Sequence, residues 1–191
     1  MPTTNHGALP RSGERRPQSA NPTSVAGASD FRRTIGNRVP YGQSRLGQHV
    51  ADMRTVQPTK PPSIAPTVKK NLAAAELSDG TIIDGTSGGA LGCSENEIQS
   101  KLDALNQSRA PSDQLTIKEL YTERQPCCKC ENLMKTKHPD AKVDWSVEFF
   151  DTPDAQSLSP EQLTVMRSLN KFELGELKRV SYAYHGVPLP G

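Results

Sequence analysis

The chain has 191 residues, 34% of them hydrophobic, and adding the 14 Gly gives about 41%, below the roughly 45–50% of a globular domain counted the same way. Its 16 Pro and a mean hydropathy of −0.64 describe one domain lengthened by a polar tail. Residues 1–66 carry nine Lys/Arg against Glu14, Asp30 and Asp52, a net of +6, whereas residues 67–191 carry 14 against 18 acids, a net of −4; a folding unit that coats nucleic acid with a basic surface is therefore disfavoured.

Residues 1–66 hold nine of the 16 Pro but only two aromatics, Phe31 and Tyr41. They read as a disordered Pro/Ser/Thr/Arg-rich leader or linker, too polar to offset its ordering entropy. A marginal helix over residues 31–56 is the most this stretch offers. Residues 1–20 lack the apolar core of a general secretory signal, and their composition also suits an address for a specialised secretion system or an organelle. On this reading, removing residues 1–60 leaves the chemistry intact. No run approaches ~18 apolar residues, so a membrane-spanning helix is not expected.

The folding unit, residues 67–191, starts near Val68. Leu72–Leu77, the turn Ser78-Asp79-Gly80 and the β-branched Thr81-Ile82-Ile83 read as a hairpin. A Gly-rich loop at residues 85–89 follows, where backbone can approach a ligand closely. From Ser94 the period turns helical, with Ile98, Leu102 and Leu105 on one stripe. Residues 115–121 form a third strand. Pro126 opens a short helix at a position where its missing N–H needs no partner. Val143, Trp145, Val147 and Phe149 alternate with polar residues as the clearest strand. Ser159, Pro160 and Gln162 cap a last helix, whose stripe is Leu163, Met166, Leu169 and Leu177 and which Gly175 should break or bend. The order β-β-α-β-α-β-α predicts an α/β unit, a mixed sheet with helices on both faces.

The cysteines are Cys93, Cys127, Cys128 and Cys130, all outside the tail. In a reducing compartment such clustering is a ligand pattern rather than a disulfide framework. Cys93-Ser94-Glu95 opens one helix and Pro126-Cys127-Cys128-Lys129-Cys130 the next, with one strand between them. Helix N-termini favour thiolates. Three thiolates fill three of the four tetrahedral positions of Zn²⁺ and leave the fourth for water. Glu95 could then take a proton from that water and pass it to a leaving amine. Two alternatives are a structural Cys₄ zinc, strained because adjacent side chains on a helix diverge, and a redox dithiol of Cys127 and Cys130, which leaves Cys93 and Glu95 idle. Cys128 reads as a small half-buried residue.

At these residues the chain resembles the zinc-dependent cytidine deaminase superfamily, whose signature is H-x-E…P-C-x-x-C with His or Cys as first ligand. The flanks Gly80-Thr81-Ile82-Ile83, Ser94-Glu95 and Tyr121-Thr122-Glu123-Arg124-Gln125-Pro126-Cys127 look most like the bacterial toxin and effector branch. The resemblance covers about residues 70–150. It implies a three-layer deaminase-like fold, Cys93, Cys127 and Cys130 as ligands to Zn²⁺, and Glu95 as the catalytic proton shuttle. It also implies hydrolysis of cytosine to uracil in single-stranded or extruded nucleic acid, DNA or RNA. A toxin of this kind would be delivered by a specialised bacterial system into a target-cell cytoplasm and countered by an immunity protein. The alternatives are a deaminase of free cytidine or nucleotide, to which Cys-x-Glu lends weight, and a non-catalytic interaction protein folded by a structural zinc.

Other residues have plainer readings. His6 and His49 are solvated, His138 is a cation at a helix C-terminus, and His185 is a surface residue with the reach to approach the site. Trp145 fills the core and Thr122 is a strand-end residue. Arg124 and Lys129 flank the second motif, where they could meet phosphates or only water.

Overall fold

The computed structural model describes residues 34–190 except 154. In chain order these form β1 (Asn37–Arg38), α1 (Arg45–Asp52), β2 (Thr55–Gln57), β3 (Ser63–Ala65), β4 (Leu72–Leu77), β5 (Ile82–Thr86), α2 (Ser94–Asn106), β6 (Ile117–Arg124), α3 (Cys128–Lys137), β7 (Lys142–Val147) and α4 (Pro160–Tyr184). Five strands make a mixed sheet in the order β1-β7-β6-β4-β5, and β2 and β3 pair separately. The β4 strand is antiparallel to both β5 and β6, whereas β7 is parallel to β6 and to β1.

Register assigns each side chain to a face. Ala73, Thr122 and Trp145 form one row across the sheet, and Ala75, Leu120 and Val143 the next. This face packs Ile98 and Leu102 of α2 and Met134 of α3 into the main core. On the opposite face Leu72, Ala74 and Tyr121 meet Leu46 and Val50 of α1. The α4 helix lies on that side too: its Ser181 Oγ donates to Tyr41 Oη, and its Tyr184 Oη donates to Asp52. The result is the α/β three-layer arrangement with helices on both faces of a mixed sheet.

The expected leader is corrected over residues 34–66; residues 1–33 lie outside the described residues. Helix α1 has Ser44 as N-cap, whose Oγ accepts from Gly47 N, and its Leu46, Val50 and Ala51 are buried. Arg54 is the anchor. At 1% exposed, it donates from Nε and Nη2 to the two oxygens of Glu123 at 2.7 and 2.5 Å, and also to the carbonyls of Pro66 and Lys70. Glu123, on β6, is fully buried and also accepts from Tyr41 Oη and Leu72 N. Polar composition hid this segment because it packs through one buried ion pair and a few apolar residues rather than an apolar run.

The same segment explains β7. Its polar residues Asp144 and Ser146 are buried like the apolar ones they alternate with. Ser146 Oγ donates to Val39 O and bonds Tyr121 Oη, and Trp145 Nε1 donates to Ile35 O. Strand β6 runs to Arg124, three residues past its expected end, because Thr122 and Glu123 find buried partners and the Arg124 backbone N–H donates to Asn71 Oδ1. Pro126 stands just before the N-cap of α3 rather than inside its first turn. Gly175 does not interrupt α4: the helix is continuous from Pro160 to Tyr184, since burial of Leu169, Glu173, Leu177 and Ser181 on either side outweighs a glycine cost of about 1 kcal/mol. The capping box at Ser159 and Gln162 forms in both directions. Leu105 is 40% exposed and drops out of the α2 stripe, and Leu163 and Met166 are only half-buried.

Candidate metal centre and catalytic cleft

The two cysteine motifs meet at the helix starts. Cys93 is the N-cap of α2 and Cys127 the N-cap of α3, and neither side chain caps its helix by a hydrogen bond. Cysteine is an unusual choice where Ser, Thr, Asp or Asn would satisfy the first amides. Cys130 follows one turn into α3, fully buried. Parallel pairing of β6 with β7, flanked antiparallel by β4 and β5, puts the starts of α2 and α3 at the same edge of the sheet.

Gly85 permits this approach. A Cβ there would collide with the Ser94 carbonyl, so only glycine lets β5 lie against the first turn of α2. The loop that follows closes on itself through Gly88 N to Gly92 O and Gly92 N to Gly89 O, with positive φ at Gly88 and Gly92.

The sulfurs of Cys93 and Cys127 are 3.7 Å apart, those of Cys127 and Cys130 3.4 Å, and all three lie within 4.8 Å of one another. A tetrahedral Zn–S bond of about 2.3 Å sets neighbouring sulfurs about 3.8 Å apart, so this donor set fits zinc in spacing as well as chemistry. Hydrogen bonding with Cys130, then with Cys93, holds the Cys127 thiol far below its usual range, and the hydrogen bond with Cys127 pushes Cys93 up to about 11. Cys128 is not part of the trio, and its backbone N–H donates to Asp151.

Glu95 lies in the first turn of α2, 4% exposed. Burial raises its pKa above the ordinary carboxylate value. Thr122 Oγ1 donates to Oε1 and Ser94 Oγ to Oε2, both at 3.1 Å. Behind them Asn71 Nδ2 donates to both hydroxyls at 2.8 Å, while Asn71 Oδ1 accepts from Arg124 N. One side-chain amide thereby directs two hydroxyl protons at one carboxylate. Hydrogen bonds to a charged group contribute about 1.5–3 kcal/mol each, enough to hold the side chain in one orientation.

A cleft of about 260 Å³ opens over these groups, lined among others by Asn71, Gly88, Cys93, Glu95, Arg124, Cys127 and Phe149. Cys93, Cys127, Cys130 and Glu95 are brought together as the motifs suggest. Thr122 proves more than a strand end, since it holds Glu95. His185 lies against Ala51 at the end of α4, outside the cleft. His138 caps α3 and shares a 2.7 Å hydrogen bond with Gln99, and burial lowers its pKa, so it is a neutral bridge and not a cation on the dipole. Asn71 and Arg54 went unnoticed in the sequence, and Ser94, Phe149 and Glu123 carried no site role there. The available signal was alternation: Asn71 precedes β4 on the face shared by Ala73 and Ala75, which is the face of α2.

A family model of Xanthomonas-like deaminases matches residues 68–169, more than half the chain and all of the cleft's lining. Comparison with curated proteins and with solved structures gives no match. The thiol trio and the buried Glu95 fall inside the matched span, and the chain belongs to the Xanthomonas-like deaminase family.

Proposed function

We propose that this protein is a zinc-dependent hydrolase that converts cytosine to uracil in single-stranded or extruded nucleic acid. The observation that carries it is the buried Glu95 carboxylate, oriented by Ser94 and Thr122 beside three thiols spaced for zinc. Cys93, Cys127 and Cys130 would hold the ion. When bound, zinc supplies a water acidic enough to be a nucleophile near neutral pH. Glu95 accepts the proton released as water oxygen bonds C4 of the base, and returns it to the amine as the C4–N bond breaks and ammonia leaves. Its raised pKa suits both roles, since a proton carrier works best near the operating pH. A cleft of about 260 Å³ lies below the roughly 300–1,000 Å³ of ordinary ligand pockets, a size suited to a one-ring base. A purely structural zinc has no use for such a carboxylate.

The toxin-like flanking segments support a delivered effector with an immunity protein as partner. The acidic balance of residues 67–191, net −4, favours a second reading, a free nucleoside or nucleotide as substrate, because backbone affinity comes from Lys and Arg. The deciding experiment offers the zinc-loaded protein single-stranded DNA, duplex DNA, RNA and free cytidine and measures C-to-U conversion on each. Conversion of single strands above all others is expected; conversion of cytidine alone selects the second reading, and conversion of none overturns both.

A further inference from the structure

Thr122 and Arg124 are successive residues on one face of β6. The first holds Glu95, whereas the second sends its guanidinium into the cleft without a partner. Arg124 lies 5.5 Å over the Phe149 ring, and its buried Nε has no hydrogen-bond partner. Among the described residues the guanidinium forms no ion pair. The carboxylates whose charge reaches it, Glu123 and Glu95, are committed elsewhere: Glu123 to Arg54, Tyr41 and Leu72 N, and Glu95 to Ser94 and Thr122.

A largely buried arginine without a counter-charge is costly, and burial pulls its pKa down. The Phe149 ring recovers a little through the cation–π contact and fixes the plane of the fork. An anion bound in the cleft would recover the rest. A second cation stands at the wall, where Lys70 Nζ donates to Gly88 O at 3.3 Å.

Resting on the deaminase reading of this cleft, we infer that Arg124 is a specificity residue that binds a phosphate ester of the substrate, so that the protein selects a phosphorylated nucleoside unit over a neutral nucleoside. The planar fork matches phosphate oxygens two at a time, which an ammonium cannot do. That phosphate belongs either to a free nucleotide or to a polynucleotide backbone.

The test measures equilibrium binding of deoxycytidine, its 5′-monophosphate and a single-stranded oligodeoxynucleotide with one cytosine, together with the ribose counterparts, to the zinc-loaded full chain. The wild-type protein should bind at least one phosphorylated form about 10- to 100-fold more tightly than the nucleoside. Arg124→Gln should erase that preference, so that phosphorylated and neutral forms bind alike, and Arg124→Lys should restore part of it. If the monophosphate shares the gain the source is a nucleotide; if only the oligonucleotide does, it is a backbone phosphate. Equal wild-type affinity for all forms, or a preference that survives Arg124→Gln, overturns the assignment. The wild-type comparison needs no variant to fold. Because binding is read without turnover, a protein that prefers phosphate yet deaminates nothing would overturn the proposed reaction and leave the Arg124 assignment standing.

Discussion

Glu95 and Asn71 act at one point through different physics. Glu95→Gln keeps the side-chain shape and removes the proposed proton carrier, so activity should fall about 10²–10⁴-fold with zinc content and melting temperature nearly unchanged. Full activity in that variant would rule out the proton-shuttle role. Asn71→Ala leaves the Ser94 and Thr122 hydroxyls without the donor that aligns them. Loss of orientation at a reacting group can cost about 10²-fold, and here the decline should be in kcat, with zinc still bound. A variant that retains wild-type kcat would show that the two hydroxyls align themselves. Of these two residues Glu95 was legible in the sequence, because Cys-x-Glu before a helical period is a local pattern. Asn71 was not: its partners are 23 and 51 residues away, and no local rule brings them together.

Among the elements, the hairpin, α2, β7 and α4 were readable because each carries its own turn, period or cap, and α3 was readable from the Pro126 that precedes it. Boundaries drifted where tertiary partners intervened, as at the C-terminal end of β6, where Thr122, Glu123 and Arg124 are all polar and all find a place. Gly85 decides how closely β5 approaches α2. Gly85→Val should separate the Cys93 and Cys127 helix starts, lowering zinc retention as well as activity; metal analysis of the purified variant would show full zinc if the contact were unimportant. His138 links α3 to Gln99 of α2 as a neutral ring. Its pKa is lowered on folding from 6.5, so the unfolded chain takes up its proton first as pH falls. Its contribution is therefore present above about pH 6.5 and lost below it. Melting temperature measured between pH 7 and 5 should fall less steeply in His138→Gln than in the wild type; identical slopes would remove His138 from the acid response.

The whole molecule depends on the segment that composition assigned to a linker. Arg54 and Glu123 are both buried, and removing one partner of such a pair costs about 3–5 kcal/mol. Arg54→Ala should accordingly lower the melting temperature by on the order of 10 °C for a chain of this size. Residues 67–191 alone lack Arg54, Tyr41 and α1, and should lose cooperative unfolding by calorimetry. A truncated chain that melts and deaminates like the full one would restore the linker reading.

The sequence by itself determined the candidate donor set and the fold class: thiols at two helix starts, a carboxylate two residues after the first, and elements in the order of a three-layer α/β unit. These are short-range patterns, set by helical and strand periods and by ligand spacing. Tertiary structure alone decided which residues orient Glu95, which cation faces the cleft unpaired, and that residues 34–66 pack onto the sheet. Each depends on polar side chains meeting across the sheet. A buried polar pair leaves no hydrophobic period behind, so the segment around Arg54 looked like a solvated tail until the fold placed it against Glu123.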